Sequence, residues 1–102
     1  MTILREWRGR AAPDKVDAVL DHYVKNLKPT MTAVPGFMDA SFGRRDLGGV
    51  VEFILVTRWR DMASVEAFAG PAPEKAVLPH GTKEVLADTD TFVRLYEIVD
   101  QA

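Results

Sequence analysis

The chain has 102 residues, a formal net charge of -2, and 47% hydrophobic against 27% charged residues, which predicts one globular domain spanning 1–102. The absence of cysteine excludes disulfide and zinc–thiolate frameworks, and the absence of a basic patch leaves no footprint for nucleic acid or an anionic membrane. No segment reaches the roughly 20 apolar residues of a membrane span and the N-terminus lacks a signal peptide's apolar core, so we expect a cytoplasmic protein.

The first third of the chain predicts a strand followed by a long helix. Residues 2–10 alternate imperfectly between apolar and polar side chains, as a strand does. A helix should begin near Pro13, because proline and acidic residues favour the first turn. Its apolar face consists of Val16, Val19, Leu20, Tyr23 and Leu27. Pro29 should kink or restart this helix, and the Val-Pro-Gly sequence at 34–36 should end it.

The stretch from Gly49 to Trp59 is the most apolar predicted strand and should lie at the centre of the sheet. One of its faces would carry Val51, Phe53, Leu55, Thr57 and Trp59, and the other Val50, Glu52, Ile54, Val56 and Arg58. Two helices can cover only one side of a sheet. We therefore expect a second copy of the chain to cover the other side.

The remaining segments complete the pattern around this central strand. Residues 37–45 predict a strand, joined to the central one by a hairpin loop at 46–49. Asp61 should cap a short helix that ends at Gly70. Further helical turns are expected at 74–78 and 82–87, and a last strand at 89–99.

The order of predicted elements is strand, helix, strand, strand, helix, strand. This is the ferredoxin-like, split βαβ arrangement of the α+β class, with an antiparallel four-stranded sheet. Right-handed crossovers place the first and third strands side by side in its middle. Such a fold says little by itself about function.

Four short motifs occur in an order that is more specific than any of them alone. They are Pro35-Gly36-Phe37, the run from Glu52-Phe53 to Trp59, Ala67-Phe68-Ala69-Gly70, and Glu74-Lys75-Ala76-Val77 before Pro79. With them, the sequence from about Ile3 to Val99 resembles the antibiotic biosynthesis monooxygenase family. The resemblance implies a single domain of this family and a homodimer, a dimeric α/β barrel, with one ligand pocket per subunit between sheet and helices. Family members include cofactor-free oxygenases of aromatic polyketides, quinol monooxygenases and haem-degrading enzymes.

The haem-degrading branch of this family differs from the present sequence at its site. That branch uses an asparagine on the first strand, a tryptophan on the second helix and a histidine soon after it. The corresponding positions here hold Glu6, Phe68 and Leu78, with His80 two residues further on. The resemblance therefore argues against haem as a substrate.

The polyketide-oxygenase branch is matched only in part. Its asparagine, four residues before a strand-end tryptophan, would fall at Leu55, and the tryptophan itself is retained as Trp59. A tyrosine expected in the next helix falls near Val65, and a later arginine falls near Pro79 or His80. The site of that branch does not carry over intact.

Few residues remain as candidates for chemistry. His80 and Trp59 are the predicted catalytic residues, because a histidine can titrate near neutral pH and the tryptophan ends the central strand. Leu55 and Phe68 are predicted to bind substrate, together with an ion pair of Glu6 and Arg94 across neighbouring strands. Each has a structural alternative: an exposed loop histidine, plain core aromatics, and an ion pair at the sheet rim.

Three further expectations concern charged and polar groups. Arg5 and Glu97 could pair on the other face of the sheet, near the dimer surface. His22 lies outside the apolar face of the first helix and should be solvated. The two histidines lack partners at ligand spacing, so no metal site is predicted.

We expect a small dimeric monooxygenase without a tightly bound cofactor, using molecular oxygen on a quinol-like or polycyclic phenolic substrate. The alternative is a non-catalytic dimer that binds an apolar or aromatic small molecule, and haem degradation is third. Direct oxygenation needs an electron-rich, deprotonated substrate in an apolar slot, with a base and a proton donor. Whether residues 71–81 close over such a slot cannot be read from the sequence.

Overall fold

The computed structural model describes all 102 residues and has the predicted order of strands and helices. The strands are β1 (Ile3–Ala11), β2 (Phe37–Asp46), β3 (Val51–Trp59), β4 (Asp88–Thr89) and β5 (Arg94–Glu97). The helices are α1 (Val16–His22), α2 (Lys28–Thr32), α3 (Met62–Ala69) and α4 (Thr82–Val85). A 3-10 turn (Pro13–Lys15) precedes α1, and a π-helical turn (Tyr23–Leu27) joins α1 to α2. None of these helices is both long enough and apolar enough to cross a membrane.

The sheet has the ferredoxin-like order, with β1 and β3 adjacent at its centre. β2 lies outside β3, and both β4 and β5 pair with the outer edge of β1. All pairings are antiparallel, and Trp7 lies opposite Leu55 in the central pair. The α+β fold class and the central position of the Gly49–Trp59 stretch are therefore confirmed.

The last predicted strand is divided into two short pieces. Between β4 and β5, the backbone leaves β1 and bonds instead to residues 74–76. The Ala76 N–H donates to the Thr91 carbonyl at 2.9 Å, and the Val93 N–H donates to the Glu74 carbonyl at 2.6 Å. The prediction of helical turns at 74–78 is wrong for the same reason, because these backbone groups are used in pairing across the chain.

The long helix accommodates Pro29 by means of a widened turn. The Lys28 N–H donates to the Tyr23 carbonyl, five residues back, where a regular α-helix would bond four back. Pro29 has no N–H to donate and would clash with the Lys25 carbonyl in regular geometry. The π-helical turn just before Pro29 accommodates both features, so the predicted interruption occurs without a break in the helix.

The second predicted helix has the expected ends. The Asp61 carboxylate accepts a hydrogen bond from the Ser64 backbone N–H at 2.9 Å, as an N-cap does. The helix ends before Gly70, whose φ of +84° suits glycine. Asp61 also accepts from the Ser64 hydroxyl, and these bonds lower the pKa of its carboxyl.

The helices cover one face of the sheet only. Alternate residues of β3, from Val51 to Trp59, are buried against them, while the residues between are half-buried on the other face. The same alternation along β1 buries Ile3, Arg5 and Ala11 on the covered face. The open face carries Leu4, Glu6, Arg8, Arg10, Glu52, Ile54, Val56 and Arg58.

Candidate functional site

A cleft lies between the covered face of the sheet and the elements above it. The space between its walls is about 520 Å³ when the open mouth and the adjoining solvent are counted. Eleven of its fifteen lining residues are hydrophobic, so the cleft favours an apolar ligand. The lining residues are Arg5, Trp7, Val19, His22, Tyr23, Leu27, Phe42, Leu55, Phe68, Val77, Leu78, Pro79, Thr82, Val85 and Leu86.

Stacked aromatic rings form much of the cleft wall. Phe42 stacks against Tyr23 with ring centroids 4.3 Å apart, and against Trp7 at 6.5 Å. The Trp7 indole N–H donates to the Thr89 hydroxyl at 2.8 Å, which fixes the ring. Burial raises the pKa of the Tyr23 phenol, so this group stays protonated at neutral pH. Aromatic rings in the wall favour an aromatic ligand, because aromatic rings attract one another in stacked and edge-to-face arrangements.

Residues 71–81, here called the strap, form one wall of the cleft. Val77, Leu78 and Pro79 line it, so the strap packs over the cleft and not away from it. The Arg5 side chain holds the strap to the sheet, with Nη2 donating to the Lys75 carbonyl at 2.7 Å. The bridge between Lys75 and Phe92 adds a second attachment.

A polar chain joins α1 to the start of α4 at the edge of the cleft. The Asn26 amide N–H donates to His22 Nδ1 at 2.9 Å, and His22 Nε2 lies 3.0 Å from the Thr82 hydroxyl. That hydroxyl donates to the Pro79 carbonyl at 2.6 Å, so it accepts from His22 Nε2–H. Both ring nitrogens of His22 are therefore used within the protein. The expectation that His22 is solvated is wrong, because the ring is half-buried in this contact.

Two of the predicted substrate-binding residues line the cleft, and one predicted catalytic residue lies behind it. Leu55 and Phe68 are in the wall. Trp59 is fully buried, stacks on Phe68 at 5.2 Å, and donates its indole N–H to the Thr57 hydroxyl at 2.8 Å. Trp59 thus supports Phe68 from the core side and does not itself line the cleft.

The other predicted catalytic residue, His80, is exposed on the strap. Its neighbour Pro79 lines the cleft, but His80 does not. No group of three or more histidine, cysteine, aspartate or glutamate side chains has an arrangement that could hold a metal ion.

Glu6 and Arg94 form the predicted pair, but on the face turned away from the cleft. They lie opposite each other across β1 and β5, with Arg94 Nη1 3.6 Å from Glu6 Oε1. Arg8 Nη2 lies 3.1 Å from the same oxygen. The structure therefore does not bring Glu6 and Arg94 together with Leu55 and Phe68.

An ion-pair network continues from this pair along the open face. Arg10 contacts Glu52 at 3.2 Å, Asp90 at 3.0 Å, and Asp88. Hydrogen bonds to Asp90 and Asp88 raise the pKa of Arg10, and Arg45 lowers the pKa of the Glu52 carboxyl. The network satisfies most of these charges within the sheet surface.

The polar residues of the cleft are ones that the sequence reading missed. Arg5 lines it and has no contact with Glu97, so the predicted Arg5–Glu97 pair is wrong. The pairing register places Arg5 opposite Thr57 and Trp7 opposite Leu55, on the covered face. The antiparallel register of the first and third strands, anchored on Trp59, was the signal that could have assigned Arg5 to this face.

The fold and the cleft define a ferredoxin-like protein with an aromatic-lined cleft between sheet and helices. The profile of the antibiotic biosynthesis monooxygenase family matches residues 2–75, so the chain belongs to that family. This match covers β1 to the first half of the strap and leaves out α4, β4 and β5. No curated protein matches the sequence.

Solved structures with the same fold have low sequence identity. Rv0793 from Mycobacterium tuberculosis is 18% identical over 100% of this chain and 99% of its own, with a TM-score of 0.70. SnoaB, a cofactor-independent oxygenase from Streptomyces nogalater, is 12% identical over 98% of this chain and 94% of its own, with a TM-score of 0.60. The de novo designed protein Foldit4 is 16% identical over 96% of this chain and 99% of its own, with a TM-score of 0.65. At these identities the likeness shows the fold alone.

Proposed function

We propose that this protein is a monooxygenase that uses molecular oxygen, without a tightly bound cofactor, on a flat quinol-like or polycyclic phenolic substrate. The observation that carries the proposal is the cleft itself, whose wall is built from the stacked rings of Trp7, Tyr23 and Phe42. Membership of the antibiotic biosynthesis monooxygenase family supports a monooxygenase-type reaction. The cofactor-independent activity named for SnoaB supports the finer assignment by analogy of fold.

The proposed reaction takes all its electrons from the substrate. A 1,4-naphthohydroquinone and one O2 give a hydroxylated 1,4-naphthoquinone and one water. One oxygen atom forms the new carbon–oxygen bond, and the other leaves as water with the two hydrogens that the substrate loses. The ionised substrate is the electron donor, so the protein must bind the phenol, let it lose a proton, and exclude bulk water.

The apolar and aromatic residues supply the binding part of this task. In the proposal Leu55 and Phe68 contact the substrate, and Trp59 holds Phe68 in place from behind. The Tyr23 hydroxyl is a candidate proton donor, because burial raises its pKa and keeps it protonated.

His80 and His22 are the two candidate bases. His80 is free of hydrogen bonds within the chain but exposed beside the cleft, and His22 lines the cleft with both nitrogens occupied. Neither has a free basic nitrogen in the cleft wall. This observation favours the second candidate function, a non-catalytic protein that binds an apolar aromatic molecule in the same cleft.

We also propose that the working unit is a homodimer formed through the open face of the sheet. Ile54, Val56 and Leu4 are half-buried there with no helix above them. A second copy would complete their burial, as two sheets packed face to face do.

Oxygen uptake separates the two candidate functions. The purified protein is given a panel of naphthohydroquinones and anthrones, with heat-denatured protein to subtract autoxidation. Saturable uptake, with one atom of 18O2 in the product, is expected for the monooxygenase. Saturable ligand binding without uptake across the panel would instead favour the binding protein, and a haem titration without a Soret shift would exclude haem degradation.

A matched pair of variants ties the activity to the cleft. Leu78→Trp adds bulk at the cleft, where Leu78 is 42% exposed, and should lower kcat/KM at least tenfold. Leu47→Trp makes the same change at a 45% exposed position in the β2–β3 hairpin and should leave kcat/KM unchanged. Equal activity in both variants would contradict the assignment of this cleft as the substrate site.

A further inference from the structure

The cleft contains a buried positive charge that has no carboxylate partner. Six of the eight arginines pair with an aspartate or glutamate. Arg44 is unpaired but exposed, and Arg5 is unpaired and only 3% exposed. Burying a cation without a counter-ion costs free energy, so the placement of Arg5 calls for an explanation.

The hydrogen bonds of Arg5 leave part of its guanidinium free. Nη2 donates to the Lys75 carbonyl at 2.7 Å and Nε to the Pro73 carbonyl at 3.5 Å, while Nη1 has no partner within the chain. Only two fully enclosed side-chain nitrogen or oxygen atoms lack a hydrogen-bond partner, and they are Glu6 Oε1 and Arg8 Nε. Because Arg5 Nη1 is not one of them, it retains some exposure. Since Arg5 lines the cleft, Nη1 is the part of the guanidinium that is left for a ligand there.

The rest of the guanidinium is oriented by its neighbours. Its central carbon lies 5.4 Å from the centre of the Phe68 ring, in a cation–π contact, and the strap carbonyls accept from Nε and Nη2. Burial lowers the pKa of Arg5 to about 10, which still leaves it charged at neutral pH. The cleft wall therefore presents a fixed cation next to a stacked aromatic ring.

We propose that Arg5 is the anion-binding residue of the cleft, and that the ligand is a flat aromatic molecule whose oxygen is ionised when bound. A guanidinium suits this role because its planar N–H donors match an oxyanion, and because the surrounding apolar wall strengthens their attraction. The ligand anion would supply the counter-charge that the chain itself does not provide.

This inference deepens the proposed function and rests on it for the identity of the site. Binding the phenolate in preference to the phenol lowers the pKa of the bound phenol, so its proton can leave to solvent at neutral pH. No histidine needs to face the substrate for this step. The phenolate is the electron-rich form that reduces O2, which explains how the cleft could serve oxygenation without a base in its wall.

Affinity for matched ionised and neutral ligands tests the proposal independently of turnover. Dissociation constants are measured anaerobically by calorimetry at pH 7.5 for 2-naphthoate against 2-naphthylmethanol, and for ionised 4-nitro-1-naphthol against neutral 1-naphthol. Each pair is measured with the wild type, Arg5→Gln, Arg5→Lys and Arg44→Gln. Arg44→Gln removes the same charge from an exposed position and serves as the control.

The wild type should bind the ionised member of at least one pair about 10- to 100-fold more tightly than the neutral member. Arg5→Gln should abolish that preference and leave neutral-ligand affinity nearly unchanged, Arg5→Lys should retain part of it, and Arg44→Gln should retain all of it. Preference for the phenolate alone identifies an ionised phenol, and preference for naphthoate alone identifies an aromatic acid.

Two results would overturn the proposal. One is a wild type that prefers neither anion. The other is an Arg5→Gln variant that loses affinity for ionised and neutral ligands equally, since Arg5 would then only hold the strap. Failure of oxygen uptake with intact anion preference would count against the monooxygenase and leave the role of Arg5 standing.

Discussion

Gly36 is the position where a single methyl group should have the largest and most readily calculated effect. Its φ is +96°, a conformation that costs other residues about 1–2 kcal/mol. A Cβ built there would lie 1.9 Å from Ser64 Oγ and 2.7 Å from Ser64 Cβ. Ser64 is buried, and its hydroxyl donates to Asp61 at 2.7 Å. Displacing it leaves a buried polar group without its partner, at a further cost of about 1–3 kcal/mol.

Gly36→Ala should therefore lower the free energy of unfolding by about 2–5 kcal/mol. Gly48→Ala is the matched control, because Gly48 has a φ of +77° and nothing within 4 Å of an added Cβ. It should cost only the backbone part, about 1–2 kcal/mol. Urea unfolding followed by far-UV circular dichroism measures both, with the slope m checked for equality.

The double variant Gly36→Ala/Ser64→Gly tests the cause. Removing the Ser64 side chain removes both atoms that the new methyl group would meet. The two changes should then be coupled, with the double variant more stable than the sum of the single effects predicts. Equal losses for Gly36→Ala and Gly48→Ala, or strict additivity in the cycle, would refute the close-approach argument.

Three other changes test the open face, the cap of α3 and the Thr82 hydrogen bonds that attach the strap to α1. The proposed dimer should sediment at twice the 11.3 kDa chain mass, and Ile54→Arg should convert it to a monomer. A wild type that is already monomeric at micromolar concentration would contradict the dimer. Asp61→Ala should lower the melting temperature at pH 7. Hydrogen bonds from Ser64 lower the pKa of the Asp61 carboxyl, so the difference from wild type should be complete above the ordinary aspartate pKa of about 3.9 and should shrink as the pH falls through the folded-state pKa. A difference independent of pH would contradict this. Thr82→Val removes the two hydrogen bonds to His22 and Pro79, each worth about 0.5–1.5 kcal/mol. It should therefore speed hydrogen exchange in the strap by about tenfold or more, while exchange in β3 stays unchanged.

The sheet was predictable because its signals are local. The Gly49–Trp59 stretch is rich in strand-favouring side chains, and it forms the central strand, with alternate residues buried beneath the helices. The cap of α3 was also readable, since aspartate before an apolar stripe and a terminal glycine each act through nearby backbone groups.

The strap was not predictable in the same way, because its conformation depends on distant partners. Residues 74–78 have a composition compatible with a helix, yet the carbonyls of Pro73 and Lys75 accept from Arg5, about 70 positions earlier. The backbone groups of Glu74 and Ala76 form hydrogen bonds with those of Val93 and Thr91. Local propensity is outweighed there by hydrogen bonds that no window of sequence contains.

The polar part of the site depended on one assignment that alternation alone cannot make. A strand pattern separates Arg5 from Glu6 but does not say which side the helices cover. The apolar candidates Leu55 and Phe68 lie at the cleft because apolar character and burial go together. The charged candidates Glu6 and Arg94 were proposed for the same pocket, but their side of β1 faces away from it.

The residues that identify the family and the residues that equip the cleft are largely different sets. Gly36 approaches Ser64, and Phe37 packs edge-on against Trp59 at 5.3 Å, so these motif residues hold α3 and the sheet together. Arg5, by contrast, lies outside the four motifs and supplies the unpaired charge of the cleft. The fold by itself does not define a chemistry. Family membership supports a monooxygenase-type reaction, while the proposed preference for an aromatic anion depends on the charge at Arg5 and on the groups around it.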